Sequence, residues 1–248
     1  MKSPLVSIII PVFNNLEGLK KSIESIQDQS FTDYEVWVID GGSNSETSLY
    51  LKELKYPFQF ISEEDSGIYD AMNKGILFAN GEWLYFLGSG DVFLNEDVLE
   101  ITFKKPIQRK YQLLSGSILY QGENQPFIYS KSKKEKIPSW SFLMWLRNGL
   151  HHQGTFYREK LFKEYTYSLN YQILSDYWLN LLFFKKGFSC KILPYVVSVC
   201  DSNGISKQRQ WIMYKEEIAL KTSLSKKVFQ PLFYTIAIIK YTISKLNQ

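Results

Sequence analysis

At 248 residues the chain exceeds the ~150-residue prior for one domain, leaving one large domain or one domain with appendages, and it can bury ~70% of its unfolded surface without staples. A composition of 45% hydrophobic and 22% charged residues excludes disorder, collagen-like repeats and a disulfide-framed miniature. The net charge of +4 conceals a split: residues 1–100 hold 6 Lys and Arg against 17 Asp and Glu, residues 101–201 hold 15 against 6, and residues 202–248 hold 8 against 2. So acidic a first part disfavours nucleic-acid binding.

Taken in chain order, Val6 to Val12 is apolar on both faces, as a strand buried in a parallel sheet should be. Asn14 offers an N-cap to a helix with Leu16, Leu19, Ile23 and Ile26 on one face. Tyr34 to Asp40 reads as a second strand ending in Gly41-Gly42-Ser43-Asn44, and a helix through Leu49 and Leu51 to Leu54 leads to a third strand, Phe58 to Ile61. A helix over about Ile68 to Ala79 precedes a fourth strand, Gly81 to Leu87, which runs into Gly88-Ser89-Gly90-Asp91. Strands alternating with helices predict right-handed crossovers and a doubly wound, mostly parallel α/β sheet. Ligands in such sheets bind beyond the carboxyl ends of the strands. Asn14, Asp40, the Glu63-Glu64-Asp65 run and Asp91 are therefore predicted along one edge.

From about residue 111 the pattern is less regular: strands at Leu113 to Tyr120 and Pro126 to Tyr129, a Lys-rich loop over 131–136, and a helix-like stretch from Trp140 to Leu146. His151-His152-Gln153-Gly154 follows, then Ser175 capping an apolar helix to Phe184, and a strand around Ile192 to Val199. From Gln210 the tail is helical in pattern, basic, and holds the apolar run Leu232 to Ile239. It fits an amphipathic helix on an anionic membrane surface, or a helical hairpin packed on the catalytic domain or on a second subunit. Cys190 and Cys200 have no metal-ligand spacing and read as free thiols. No signal peptide and no transmembrane stretch is evident, so a cytoplasmic location is expected, peripheral on the inner face of the membrane if the tail binds lipid.

Singly, each acidic residue has a plain alternative. Asp91 in its small-residue loop suits a divalent cation or a turn; Asp40 before Gly-Gly suits a ribose hydroxyl or a turn; Asp65 suits a binding loop or a helix cap. In order, they say more. Ile8-Ile9-Ile10-Pro11-Val12-Phe13-Asn14, Val38-Ile39-Asp40-Gly41-Gly42-Ser43, the run from Ser62 through Asp65, Ile68, Asp70, Asn73 and Lys74 to Gly75, and Phe86-Leu87-Gly88-Ser89-Gly90-Asp91 resemble the family 2 glycosyltransferases of GT-A fold. The match extends to His152-Gln153 and Ser175-Asp176-Tyr177, covering about residues 4–185.

The resemblance implies an inverting transferase that moves a sugar from a nucleotide-diphospho-sugar, UDP-linked, to a hydroxyl of a glycan or lipid-linked acceptor in surface polysaccharide assembly. It implies that Pro11, Phe13 and Asn14 line the nucleotide pocket, that Asp40 and Asp65 meet the base or ribose, and that Asp70, Asn73 and Lys74 line the donor site. Asp91 matches the last acid of the DXD-type motif and would hold Mn2+ or Mg2+, although Gly88-Ser89-Gly90 supplies no earlier carboxylate. His152 stands where a second ligand or a structural histidine is expected. Asp176 matches the general base. The expected organisation is a catalytic domain over 1–205, with a nucleotide-binding part (1–110) and a smaller acceptor-side part (111–205), and the helical tail at 206–248. A non-catalytic relative that only binds nucleotide or glycan is the alternative, whereas a dehydrogenase is disfavoured because no GxGxxG follows the first strand.

Overall fold

The computed structural model describes residues 3–122, 127, 132–202 and 210–246. Its first half is a parallel unit of β1 (Val6–Val12), α1 (Leu16–Gln27), β2 (Tyr34–Asp40), α2 (Ser45–Glu53), β3 (Phe58–Ser62), α3 (Ile68–Phe78) and β4 (Trp83–Phe86). All seven residues of β1 are buried, as expected for a strand covered on both faces. Its side chains divide by parity: Val6, Ile8, Ile10 and Val12 join the core under α1, whereas Ile9 joins Ile39, Met72 and Leu179 on the other face. Gly75 lets α3 lie close on that second face, because a Cβ there would stand 2.5 Å from Ile9 Cγ2.

With β5 (Val92–Phe93), β6 (Tyr111–Gln121), β8 (Thr155–Arg158) and β9 (Ser189–Asp201) from the second half, strand order in the sheet is β3-β2-β1-β4-β8-β6-β9-β5. β1 pairs parallel with β2 along its whole length but with β4 only from Val6 to Ile9. That asymmetry explains how a central strand tolerates Pro11: the ring lies beyond the β4 ladder, where one neighbour has already turned away. The end of β1 is also where strand order reverses, the usual place for a ligand in a doubly wound sheet.

Beyond β4 the sheet is mixed. β5 (Val92–Phe93) leads to α4 (Val98–Phe103); β6 (Tyr111–Gln121) carries the two-residue β7 (Glu135–Lys136); β8 (Thr155–Arg158) runs antiparallel between β4 and β6; and β9 (Ser189–Asp201) pairs parallel with β6 and antiparallel with β5. β5, α4, β7 and β8 were not evident in the sequence. Of the strand expected at Pro126 to Tyr129, all but Phe127 lies outside the described residues.

Three local expectations are corrected. Asn15, not Asn14, caps α1, its Oδ1 accepting from Gly18 N, while Asn14 adopts φ 49°. Ser175 lies inside α5 (Ser175–Lys185), whose N-cap is Leu174. The stretch from Trp140 to Leu146 forms only a 3-10 turn at Phe142–Trp145. Cys190 and Cys200 form no disulfide.

In the described tail, α6 (Trp211–Leu224) and α7 (Gln230–Leu246) make a hairpin. Leu220 and Leu224 pack with Met144, Tyr177 and Leu181, and Phe233 and Ala237 of α7 close on Tyr214 and Ile218. Glu217 receives Lys221 and Lys240 at 2.5 Å each, and both ammonium groups also donate to Leu146 O. Among the described residues, no helix is long and apolar enough to cross a membrane.

Candidate active site

A cleft of about 630 Å³ opens beyond the carboxyl ends of β1 and β2, bounded by Pro11, Phe13, Gly41, Glu64, Asp65 and Ile68. Phe13 stands at its mouth, 64% exposed. Asp65 lies across Gly41, where a Cβ would come within 2.5 Å of its Oδ2, and its Oδ1 accepts from Gly67 N at 2.8 Å. Asp40 is fully buried beneath this floor, accepting from Ser43 N at 3.1 Å and Ser62 Oγ at 2.6 Å. Asn14 ties the two strand ends together: its N–H donates to Ser43 Oγ, and its Oδ1 accepts from Asn44 N.

The polar residues of α3 are engaged within the protein. Asp70 accepts from Ser66 N at 2.9 Å, shaping the turn into the helix. Asn73 donates to Tyr167 O and accepts from Tyr167 N, a two-point tie to the loop before α5. Lys74 donates to Glu64 O at 2.6 Å and lies 2.9 Å from Glu63, whose hydrogen bond raises the ammonium above its ordinary pKa.

A second group of polar side chains lies deeper. Asp91, after β4, is 7% exposed; Gln153 Nε2 donates to its Oδ2 at 2.7 Å and Asp201 N to its Oδ1 at 3.1 Å. Burial outweighs these donors and the nearby His152, leaving its carboxyl above the ordinary value. Gln153 belongs to the 3-10 turn His152–Gly154, and its carbonyl is held by Tyr85 OH and Ser198 Oγ. That fixed turn aims neighbouring residues at different acids: Gln153 at Asp91 and His152 at Asp176. His152 Nδ1 lies 3.6 Å from Asp176 Oδ2, and neither ring nitrogen has a hydrogen-bond partner although both are buried.

Asp176, in the first turn of α5, is 8% exposed. Asn148 Nδ2 donates to its Oδ2 at 3.0 Å, and Tyr69 OH lies 3.3 Å from its Oδ1. Burial alone would raise its pKa, but His152, Lys136 and the Tyr177 amide together hold it below the ordinary carboxylate value. The site therefore keeps a desolvated carboxylate ionised at neutral pH. Lys136 is lowered by burial to about 8, although Asp176 opposes the shift; its Nζ donates to Leu150 O.

Tyr69, Lys136 and Asn148 were not singled out from sequence. Tyr69 stood within the motif before Asp70, so its position was legible but its reach to Asp176 was not. Lys136 sat in a run of lysines that reads as solvated surface. Asn148 carried no local signal.

The residues expected to meet a metal are Asp91 and His152, of which His152 lies nearest Asp176. The orphaned imidazole nitrogens, in a buried site beside a carboxylate, fit a cation that takes its remaining ligands from a diphosphate and water. Among the described residues, no group of three or more His, Cys, Asp and Glu side chains gathers to hold a metal without such help.

The site thus combines a parallel half-sheet, a cleft beyond the carboxyl ends of β1 and β2, and two separately held buried acids, Asp91 and Asp176. The profile of Glycosyl transferase family 2 matches residues 7–166, and the chain belongs to that family. It is 32% identical over 187 residues to the PGL/p-HBAD biosynthesis glycosyltransferase of Mycobacterium bovis BCG, covering 73% of this chain and 70% of the relative. It is 33% identical over 143 residues to an Escherichia coli chondroitin synthase, but these make up only 21% of that larger protein. Among solved structures, a mannosyltransferase from Pyrobaculum calidifontis in complex with GDP-Man and Mn2+ superposes with TM-score 0.68 at 16% identity, covering 99% of this chain and 74% of that one. Residues 1–349 of S. aureus TarS with UDP give 0.65 at 14%, covering 92% and 69%. The fold is GT-A and the protein is a glycosyltransferase, which decides against the non-catalytic alternative.

Proposed function

We propose that the protein is an inverting glycosyltransferase that carries a sugar from a nucleotide-diphospho-sugar to a hydroxyl of a glycan or lipid-linked acceptor. The observation that carries this reading is Asp176, a buried carboxylate held ionised by His152 and Lys136. In a single displacement the acceptor oxygen attacks the anomeric carbon while the bond to the diphosphate breaks, and the nucleoside diphosphate leaves with that electron pair. The hydroxyl proton passes to Asp176 as the new bond forms.

The nucleoside occupies the cleft, its base against Phe13 and Pro11, with Asp65 accepting from base or ribose and Asp40 holding the turn beneath. Asp70 and Asn73 support the site by fixing α3, and Lys74 reaches the diphosphate by exchanging Glu63 for it. Mn2+ or Mg2+ would be held by Asp91 and His152 and would neutralise charge on the departing diphosphate. A UDP-linked donor is favoured by the S. aureus neighbour solved with UDP, whereas the Pyrobaculum neighbour was solved with GDP-Man. The M. bovis relative, named for PGL/p-HBAD biosynthesis, supports a glycoconjugate acceptor.

The test is a panel of UDP- and GDP-sugars with Mn2+ or Mg2+, read by thermal shift and by release of free nucleoside diphosphate. Metal-dependent stabilisation by one donor, with turnover abolished and binding kept in Asp176→Asn, is expected. Normal turnover in that variant would remove Asp176 from the role.

A further inference from the structure

The segment that delivers Asp176 is held from the tail. α5 has no side-chain cap of its own. Instead Glu216, on α6, accepts from three consecutive backbone N–H groups on the approach to it: Gln172 at 2.8 Å, Ile173 at 2.9 Å and Leu174 at 3.0 Å. Asp176 follows two residues after the last of these. On its other side the same segment is fixed by the nucleotide half, since Tyr69 OH donates to Ile173 O at 2.8 Å and the hydroxyl lies 3.3 Å from Asp176 Oδ1. One peptide therefore has its N–H claimed by the tail and its C=O by α3, with the carboxylate projecting just beyond.

The geometry points to Glu216 as a positioning residue for the reaction: the C-terminal hairpin, outside residues 7–166 that match the family profile, sets the orientation of Asp176 through these three amides. Only an ionised carboxylate matches the set, because its two oxygens accept without presenting any hydrogen. An amide in its place turns an N–H towards backbone N–H groups. The approach to α5 then rotates, and a base displaced by about an ångström loses roughly two orders of magnitude in rate. The inference rests on the reading of Asp176 as the base.

The experiment compares full-length Glu216→Gln with Ser223→Ala and Asp176→Asn. Ser223, also on α6, receives Tyr171 OH at 3.2 Å and touches none of the three amides. With the best donor of the UDP- and GDP-sugar panel, and water as acceptor, the rate of nucleoside diphosphate release is measured below the melting temperature. Glu216→Gln should lower kcat about tenfold or more, leave the donor KM within about twofold, and keep a melting temperature close to that of Ser223→Ala. Ser223→Ala should keep wild-type kcat. A Glu216→Gln protein with kcat within twofold of wild type overturns the inference, and so does one that fails to fold, since Glu216 would then hold the hairpin rather than the base. If Asp176→Asn is inactive in the same assay, that failure leaves the proposed function standing; an active Asp176→Asn removes both.

Discussion

His152 Nδ1 stands 3.6 Å from Asp176 Oδ2, and the imidazole is the foremost of the groups that hold this buried carboxylate ionised. Residues that act as a unit give non-additive losses when removed. Asp176→Asn is expected to lower transfer by roughly 100- to 10,000-fold, and His152→Gln by a smaller factor. The double variant should lose less than the product of the two single losses, the remainder beyond Asp176→Asn being what His152 contributes to holding the cation. Losses that multiply across the double-mutant cycle would show that the two side chains work separately.

Asp91 and Gln153 form the other half of the deep site, joined at 2.7 Å. Asp91→Ala removes the only carboxylate of the Gly88-Ser89-Gly90-Asp91 loop. The expected result is loss of the metal-dependent part of the thermal shift caused by UDP, with the metal-independent part retained. Titration of Mn2+ at fixed UDP checks this. An unchanged Mn2+ dependence would place the cation elsewhere.

How much of this was legible in sequence follows from range. The nucleotide half could be read because its signals are local: apolar strands, helical spacing, and turns of Gly, Ser and Asp directly after each strand. The mixed half could not, because β8 is a four-residue segment and β7 a two-residue charged one, and both exist only through partners on β4 and β6. The same holds within the site. Asp91, His152 and Asp176 stood in motifs, but Gln153 meets Asp91 across 62 residues, Asn148 meets Asp176 across 28, and Glu216 meets Leu174 across 42. Even the cap of α1 escaped, since adjacent asparagines offer the same side chain and only the left-handed turn at Asn14 decides that Asn15 takes the role.

Gly41 tests the nucleoside cleft without removing a polar group. A methyl there would sit 2.5 Å from Asp65 Oδ2 and 3.0 Å from its Cγ, so the carboxylate must leave its place over the floor. Gly41→Ala should raise the donor KM several-fold and affect kcat less, because the change lies away from Asp176. Steady-state kinetics decide it: a lowered kcat at unchanged KM would exclude the cleft as the nucleoside site.

The buried ion group of the hairpin makes stability depend on pH in two windows. Burial would raise Glu217, but Lys240 and Lys221 prevail and hold it below its ordinary value. Its stabilisation is thus present above the unfolded pKa of ~4.3 and is lost as pH falls through the lower folded value. Lys221 is brought down by burial to about 8. Between there and ~10.4 the unfolded chain holds a proton that the folded protein has released, so stability rises with pH. Lys136, also lowered to about 8, adds to the rise; Cys190, pushed up by burial to about 12, opposes it from ~8.5, and buried Tyr69 and Tyr177, both pushed up by burial, oppose it above ~10. Thermal melts should therefore climb modestly from pH 8 towards ~9.5, and Lys221→Met should remove most of that climb. A variant profile parallel to wild type would remove Lys221 as a source.

Once Phe233, Ala237 and Ser244 have packed inward on the hairpin, α7 leaves the opposite side bare, with Leu232, Ile239, Ile243 and Leu246 all exposed. Between Lys226 and Lys227 before this helix and Lys245 at its end, the exposed side carries no carboxylate. Val228, Phe229, Tyr234 and Ile238 widen the exposed apolar area beyond the narrow stripe of a two-helix seam. A wide apolar face bounded by lysines suits an anionic lipid surface, where each lysine contributes ~1 kcal/mol. Full-length protein is expected to sediment with vesicles containing phosphatidylglycerol, less so with purely zwitterionic ones, and to be released by salt. Ile239→Asp with Ile243→Asp should lower the bound fraction at least tenfold, since each would drive a charge into the interface. Equal sedimentation of the variant, or a concentration-dependent dimer that the same pair of substitutions dissolves, would assign the face to protein instead of lipid.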